Sequence, residues 1–92
     1  MLIVYKYPIP MVEEFSLSLP ATAEILTVQM QGHIPQLWAL VDPDALTETR
    51  RFRLAGTGHL IDQRKGYPEY IATFQMADGD LVWHLFELEE KD

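Results

Sequence analysis

The chain is 92 residues long and 48% hydrophobic, and it carries seven Lys and Arg against fourteen Asp and Glu, a formal charge of −7. This is one domain's worth of chain, and the lack of cysteine excludes disulfides, thiolate catalysis, iron–sulfur clusters and cysteine-ligated zinc. Duplex binding rests on neutralising several phosphates with Lys and Arg, so an acidic chain is not expected to bind a nucleic-acid polymer.

The opening MLIVYKYPIP lacks a basic leader, and its apolar run breaks at Lys6, Pro8 and Pro10. A secretory signal needs roughly 7–15 apolar residues in its hydrophobic region, and nothing approaches the ~18 of a membrane span. A cytoplasmic protein without membrane contact is the expectation. EFSLSLP alternates with a period of two, Phe15, Leu17 and Leu19 on one side and Ser16 and Ser18 on the other. EILTVQMQ repeats the pattern, with Leu26, Val28 and Met30 against Thr27, Gln29 and Gln31. A Gly32-His33 turn joins it to IPQLWALVDP, which predicts a hairpin. Asp42 is placed to cap one helical turn over residues 43–47, with Pro43 in the first helical position. RRFRLA alternates again, Phe52 and Leu54 inward, Arg51 and Arg53 outward.

The run YIATFQMADGDLVWHLFELE reads as two β-rich segments joined through Asp78-Gly79, the dipeptide favoured by a type I′ turn. A two-residue turn sets Phe74 opposite Trp83, Ala72 opposite Leu85 and Met76 opposite Leu81, an apolar face. The other face pairs Thr73 with His84 and Gln75 with Val82, flanked by Ile71 and Phe86. Its mixed composition marks half-buried surface, a pocket or a subunit interface, although a register slip of one residue would exchange the two faces. Six to seven such strands predict one all-β domain over residues 1–92: a small antiparallel β-sandwich or partly open barrel with at most one short helical turn. A β-rich α+β fold is the rival if residues 42–50 wind further. A domain of this size buries only roughly 60–65% of its unfolded surface, which leaves a homo-oligomer open.

Charge is unevenly spread. Arg50, Arg51, Arg53, Arg64 and Lys65 face a single acid, Asp62, between positions 50 and 65, a local +4 that leaves −11 for the remainder. Arg51 and Arg53 lead into Gly56, Thr57, Gly58 and His59. Two arginines on one strand face stand about 6.5–7 Å apart and repel unless an anion or neighbouring acids compensate them. The pair of glycines permits the close backbone approach that a phosphate loop needs. These six residues are therefore the candidate ligand site, for a small anionic ligand such as a nucleotide. The plain alternative is a solvated sheet edge followed by a tight bend. Thr73, Gln75, His84 and Phe86 form a second candidate pocket or interface. The glycines fit neither the P-loop nor the dinucleotide fingerprint, and His33, His59 and His84 fit no metal-ligand spacing. No catalytic residue, metal or cofactor is expected. A metal-dependent hydrolase built from His59, His84 and carboxylates is the remaining enzymatic option.

The segments LWALVDP, GTGH and WHLFE, with VYKYPI near the start, resemble a family of small proteins of unknown function encoded mainly by bacteriophages and prophages, over about residues 4–87. The resemblance implies a phage accessory protein in the host cytoplasm and assigns no catalytic residues. It implies a non-enzymatic counter-defence protein that sequesters a nucleotide signal. The alternatives are a module that blocks a host or defence protein through its acidic surface, or a minor virion or assembly protein.

Overall fold

In a computed structural model that describes residues 1–89, the alternating runs form seven strands. They are β1 (Ile3–Pro8), β2 (Glu14–Pro20), β3 (Glu24–Gln31), β4 (Ile34–Val41), β5 (Thr47–Gly56), β6 (Tyr67–Met76) and β7 (Leu81–Glu89). They make two antiparallel sheets, ordered β1-β4-β3 and β2-β5-β7-β6. The all-β class read from the sequence is the class observed. One core takes side chains from both sheets: Val28, Leu37, Ala39 and Val41 from the first, and Leu19, Phe52, Leu54, Phe74 and Leu85 from the second. Phe15 stacks on the fully buried Phe52 with ring centroids 5.3 Å apart. The sheets approach each other along β3 and β6. At the far sides, β1 and β2 are edge strands.

Both hairpins form as their turn residues dictate. Gly32 (φ 61°) and His33 join β3 to β4 with Gln31 opposite Ile34. Phe74 lies opposite Trp83, Ala72 opposite Leu85 and Met76 opposite Leu81, so the expected register holds from Ala72 to Met76; a bulge at Ile71 then sets Tyr70, and not Ile71, opposite Phe86. Asp78 (φ 54°) and Gly79 (φ 92°) are both left-handed, and the Asp80 amide donates to the Ala77 carbonyl at 3.0 Å, as a type I′ turn requires.

Four other local features depart from expectation. Leu26 was expected on the core side with Val28 and Met30; a bulge between Ile25 and Thr27 turns it to solvent and gives Ile25 the core position. Residues 43–47 do not wind into a helical turn. The Asp42 carboxylate accepts the Asp44 amide and the Asp42 carbonyl accepts the Ala45 amide, which closes one β-turn before β5 starts at Thr47. Two three-residue 3-10 turns occur instead, at Gln63–Lys65 and Ala77–Gly79. Finally, β5 is an interior strand between β2 and β7, so the arginine run is not a sheet edge.

The 57–66 segment folds back over the outer face of β5 and β7 and lies against the buried Leu88. It ends at Gly66, whose φ of 140° and ψ of 149° suit glycine alone, and where a Cβ would lie 3.0 Å from Leu88 Cβ and 3.1 Å from the Glu89 carbonyl oxygen. Gly66→Ala should therefore lower unfolding free energy by about 1–3 kcal/mol, read as a fall in the urea midpoint; an unchanged midpoint would mean the segment is not held by β7.

Candidate functional site

Strand alternation directs Arg51 and Arg53 away from the core, where the 57–66 segment receives them. Arg53 is only 8% exposed. Its Nη2 donates to the Leu60 carbonyl at 2.9 Å and its Nη1 lies 3.4 Å from Glu13 Oε1. Arg51 Nη2 donates to the Lys65 carbonyl at 2.7 Å. The two guanidiniums thus hold a loop by its carbonyls. The other cations of the window are matched with acids: Arg64 with Asp62 at 3.0 Å and Lys65 with Glu14 at 3.3 Å. Arg64 holds the Asp62 carboxyl down to about 2.

Arg50, which the sequence reading left outside the site, makes the most extensive bridge. It donates from Nε and Nη2 to the two oxygens of Glu87 at 2.6 and 2.7 Å, and from Nη1 to the Ala23 carbonyl at 2.7 Å. That bidentate, half-buried pair links β5 and β7 to the start of β3. The Glu87 hydrogen bonds raise the Arg50 pKa above its ordinary value.

Gly56, Thr57, Gly58 and His59 form one tight turn. The His59 amide donates to the Gly56 carbonyl at 3.0 Å, and Gly58 (φ 87°) takes the left-handed position of a type II turn. The Gly56 amide donates to His59 Nδ1 at 3.2 Å, and the imidazole lies where a Cβ of residue 56 would be, 2.8 Å from its Cε1. Gly56 is required for that ring position. The His59 ring then meets Trp83 edge to face at 6.4 Å. Gly56, Thr57 and His59 line one side of an open cleft of about 370 Å³, with Asp80, Leu81, Val82 and Trp83 on the other. Trp83 Nε1 is buried without a hydrogen-bond partner among the described residues.

Thr57 also joins the candidate site to the second candidate face. Its Oγ1 is 2.7 Å from His84 Nε2, His84 Nδ1 is 2.9 Å from Thr73 Oγ1, and Thr73 Oγ1 is 2.8 Å from the Tyr70 hydroxyl. Tyr70 packs edge to face on Phe86 at 5.9 Å. The structure therefore brings Thr57, Thr73, His84 and Phe86 into one exterior network and adds Tyr70. It separates Gln75, which lies with His33 along a different groove between the two hairpin turns. Arg51 and Arg53 line two further grooves and not the Trp83 cleft. Trp83 and Asp80 were missed as site residues because strand alternation alone marks Trp83 as core. The signal that finds them is the hairpin register, which returns the start of β7 alongside Gly56, opposite Trp83.

Arg51 lines an acidic groove with Glu48, Glu69, Glu87 and Glu89. The hydrogen bond that the protonated Glu69 carboxyl donates to Glu89, and the repulsion of the Glu89 charge, hold the Glu69 pKa above the usual carboxyl value. No three His, Asp or Glu side chains among the described residues converge as a metal centre requires, and no described helix is long and apolar enough to cross a membrane.

These features define a small all-β protein of two antiparallel sheets whose most apolar cleft is lined by a glycine turn and a tryptophan. Over residues 1–92 the chain matches a family model described as a domain of unknown function, DUF7352, and it belongs to that family. No curated protein and no solved structure is significantly similar to it.

A carboxyl whose folded pKa is raised favours folding while protonated, and that contribution disappears as pH rises through the folded value. Glu69→Gln should accordingly raise the melting temperature at neutral pH, with the gain vanishing below the ordinary carboxyl value of 4.5. A gain that persists unchanged in acid would assign it to something other than the Glu69–Glu89 repulsion.

Proposed function

We propose that this protein is a non-enzymatic binding module that seats a planar, amino-bearing nitrogen heterocycle, such as the base of a nucleotide signal, in the Trp83 cleft. The observation that carries this reading is the Trp83 ring, braced edge to face by His59, in the wall of an open cleft of about 370 Å³, the lower end of small-molecule sites. With the two rings at 73°, a flat ligand stacks on one of them while the other borders its edge. The Asp80 carboxylate, which lines the cleft, accepts from an exocyclic amino group.

The ligand's phosphate plays a smaller part than the arginine run suggests. Arg51 and Arg53 lie on loop carbonyls, the grooves they line carry more acids than cations, and Asp80 opposes an anion at the cleft itself. The Gly56 and His59 amides are already used within the turn. Phosphates of a bound nucleotide would project outward. In the phage setting that the sequence resemblance implies, the result is capture of a defence nucleotide in the host cytoplasm by recognition of its base.

A second reading rests on a separate observation. Glu24, Asp42, Asp44, Glu48, Asp78 and Asp80 face outward or line open grooves and form none of the four ion pairs of the described residues. That exterior suits a basic face on a host or defence protein, with an association that weakens as salt rises.

The base-led reading is tested by thermal shift and calorimetry with nucleosides, the matching mono- and cyclic nucleotides, and inorganic phosphate. A ligand at 100 times its dissociation constant adds about 2.7 kcal/mol of stability. Nucleoside and nucleotide of one base should give equal shifts, and phosphate none. His59→Ala and Asp80→Asn should each weaken binding about tenfold or more, with Arg51→Glu unchanged. Binding that requires the phosphate and fails in Arg51→Glu would return the grip to the arginines. A panel with no shift would overturn the ligand reading and leave the acidic exterior as the functional surface.

A further inference from the structure

Strand β1 is a free edge, apolar on both faces. Pairing with β4 places Ile3, Tyr5 and Tyr7 opposite Val41, Ala39 and Leu37, which are core residues, and Val4 and Lys6 opposite Leu40 and Trp38 on the outer face. The core-facing side of β1 is nevertheless left open: Ile3 is 45% exposed and Tyr5 39%, while Val4 on the other face is 50% exposed. The second sheet does not reach over this strand. Leu2, just before the strand, and Met11 and Val12, after it, are exposed as well.

Edge strands of monomers are ordinarily guarded by charges, prolines or bulges. Here the guard is absent over residues 2–5. The single lysine of β1 is turned back onto its own sheet, with Nζ 2.6 Å from Gln31 Oε1 and 5.8 Å from the centre of the Trp38 ring. Proline first enters at Pro8, the last residue of the strand.

We infer that β1 pairs antiparallel with β1 of a second copy of this chain about a two-fold axis near Tyr5, which joins two three-stranded sheets into one of six strands. Three observations select a second copy as the occupant. Charge is the first: residues 1–12 contain no acid, and among strands β1, β3 and β4 the only acid is Glu24, in a chain with fourteen. An acidic protein meets its own copy with least repulsion here, whereas a basic partner would be drawn to the other sheet. Self-complementarity is the second. A two-fold at Tyr5 sets Ile3 against Tyr7, Tyr5 against Tyr5 and Val4 against Lys6, so the apolar core face continues across the junction and the two lysines do not face each other directly. An isologous interface needs this property. Area is the third: the exposed side chains of Leu2, Ile3, Val4 and Tyr5, with the unpaired backbone of β1, supply several hundred Å², a large part of the roughly 800 Å² per partner in a standard interface.

The chain contains no cysteine, so an introduced one reports register directly. Directly opposed residues of antiparallel strands lie about 4.5–5.5 Å apart at Cα, within disulfide range. Tyr5→Cys should form a covalent dimer under mild oxidation, and Met11→Cys should not. In light scattering at tens of micromolar the wild-type chain should have twice the 10.6 kDa monomer mass. Val4→Lys, on the solvent face, should return it to monomer with an unchanged circular dichroism spectrum. A wild-type monomer at 100 µM would overturn the inference, as would a dimer that survives Val4→Lys or cross-links equally at residue 11. Nucleoside binding by the Val4→Lys monomer is a separate measurement, so the ligand and dimer readings can fail independently.

Discussion

Strand β5 sits between β2 and β7, and its alternation sends Phe52 and Leu54 into the core while Arg51 and Arg53 must leave through the opposite face. An interior strand has no water along its edges, so two guanidiniums on its outer face need partners or open solvent. The chain supplies partners by folding the 57–66 segment across that face and offering the carbonyls of Leu60 and Lys65. Hydrogen bonds to a charged group contribute about 1.5–3 kcal/mol each, enough to hold a segment that has little secondary structure of its own. The same return places His59 over Gly56 and beside Trp83. The loop, the cleft and the spent cations are thus consequences of one constraint on β5.

This explains which parts of the molecule were legible in the sequence. The alternation of residues 14–20 and 50–55 and the Asp78-Gly79 turn are local signals, and they carried the strand pattern and the register of the last hairpin, as far as Ala72 and Leu85, into the structure. The bulge at Leu26 was not legible, because an extra residue in one strand leaves an equally good alternation on paper. Nor was β1, whose apolar run lacks alternation because both of its faces are apolar. The arginine stretch misled in a specific way. Its composition resembles an anion site, but whether a strand is central or at an edge is a property of sheet order, which depends on pairings 30 or more residues apart. Arg53 opposite Phe86 and Arg50 bound to Glu87 are such pairings. Tyr70, Thr73, His84 and Thr57 likewise meet only because two strands and a turn converge.

The charge asymmetry of the sequence acquires a different meaning once the sheets are known. The +4 window is largely offset by three acids from outside it, Glu13, Glu14 and Glu87, while Asp62 pairs with Arg64 within it. What remains exposed is an acidic four-stranded sheet with its loops and a nearly uncharged three-stranded one. The field is carried by the sheet that also carries the cleft, and it disfavours anions at close range. Any ligand that enters beside Asp80 must therefore be recognised by shape, stacking and hydrogen bonding rather than by net charge.

The two sheets divide the surface into regions of different chemistry. The acidic sheet contributes the Trp83 cleft at one end of β5 and β7, while the uncharged sheet ends in an unguarded strand on the far side of the core. Pairing through β1 would leave both clefts of a dimer open, because no residue that lines the cleft belongs to β1 or to its neighbour β4. Core continuity supplies the reason for separating the functions. Burying Ile3 and Tyr5 against a second copy extends the apolar layer of a domain too small to cover its own first sheet, and it uses only the part of the surface where an acidic chain can approach itself.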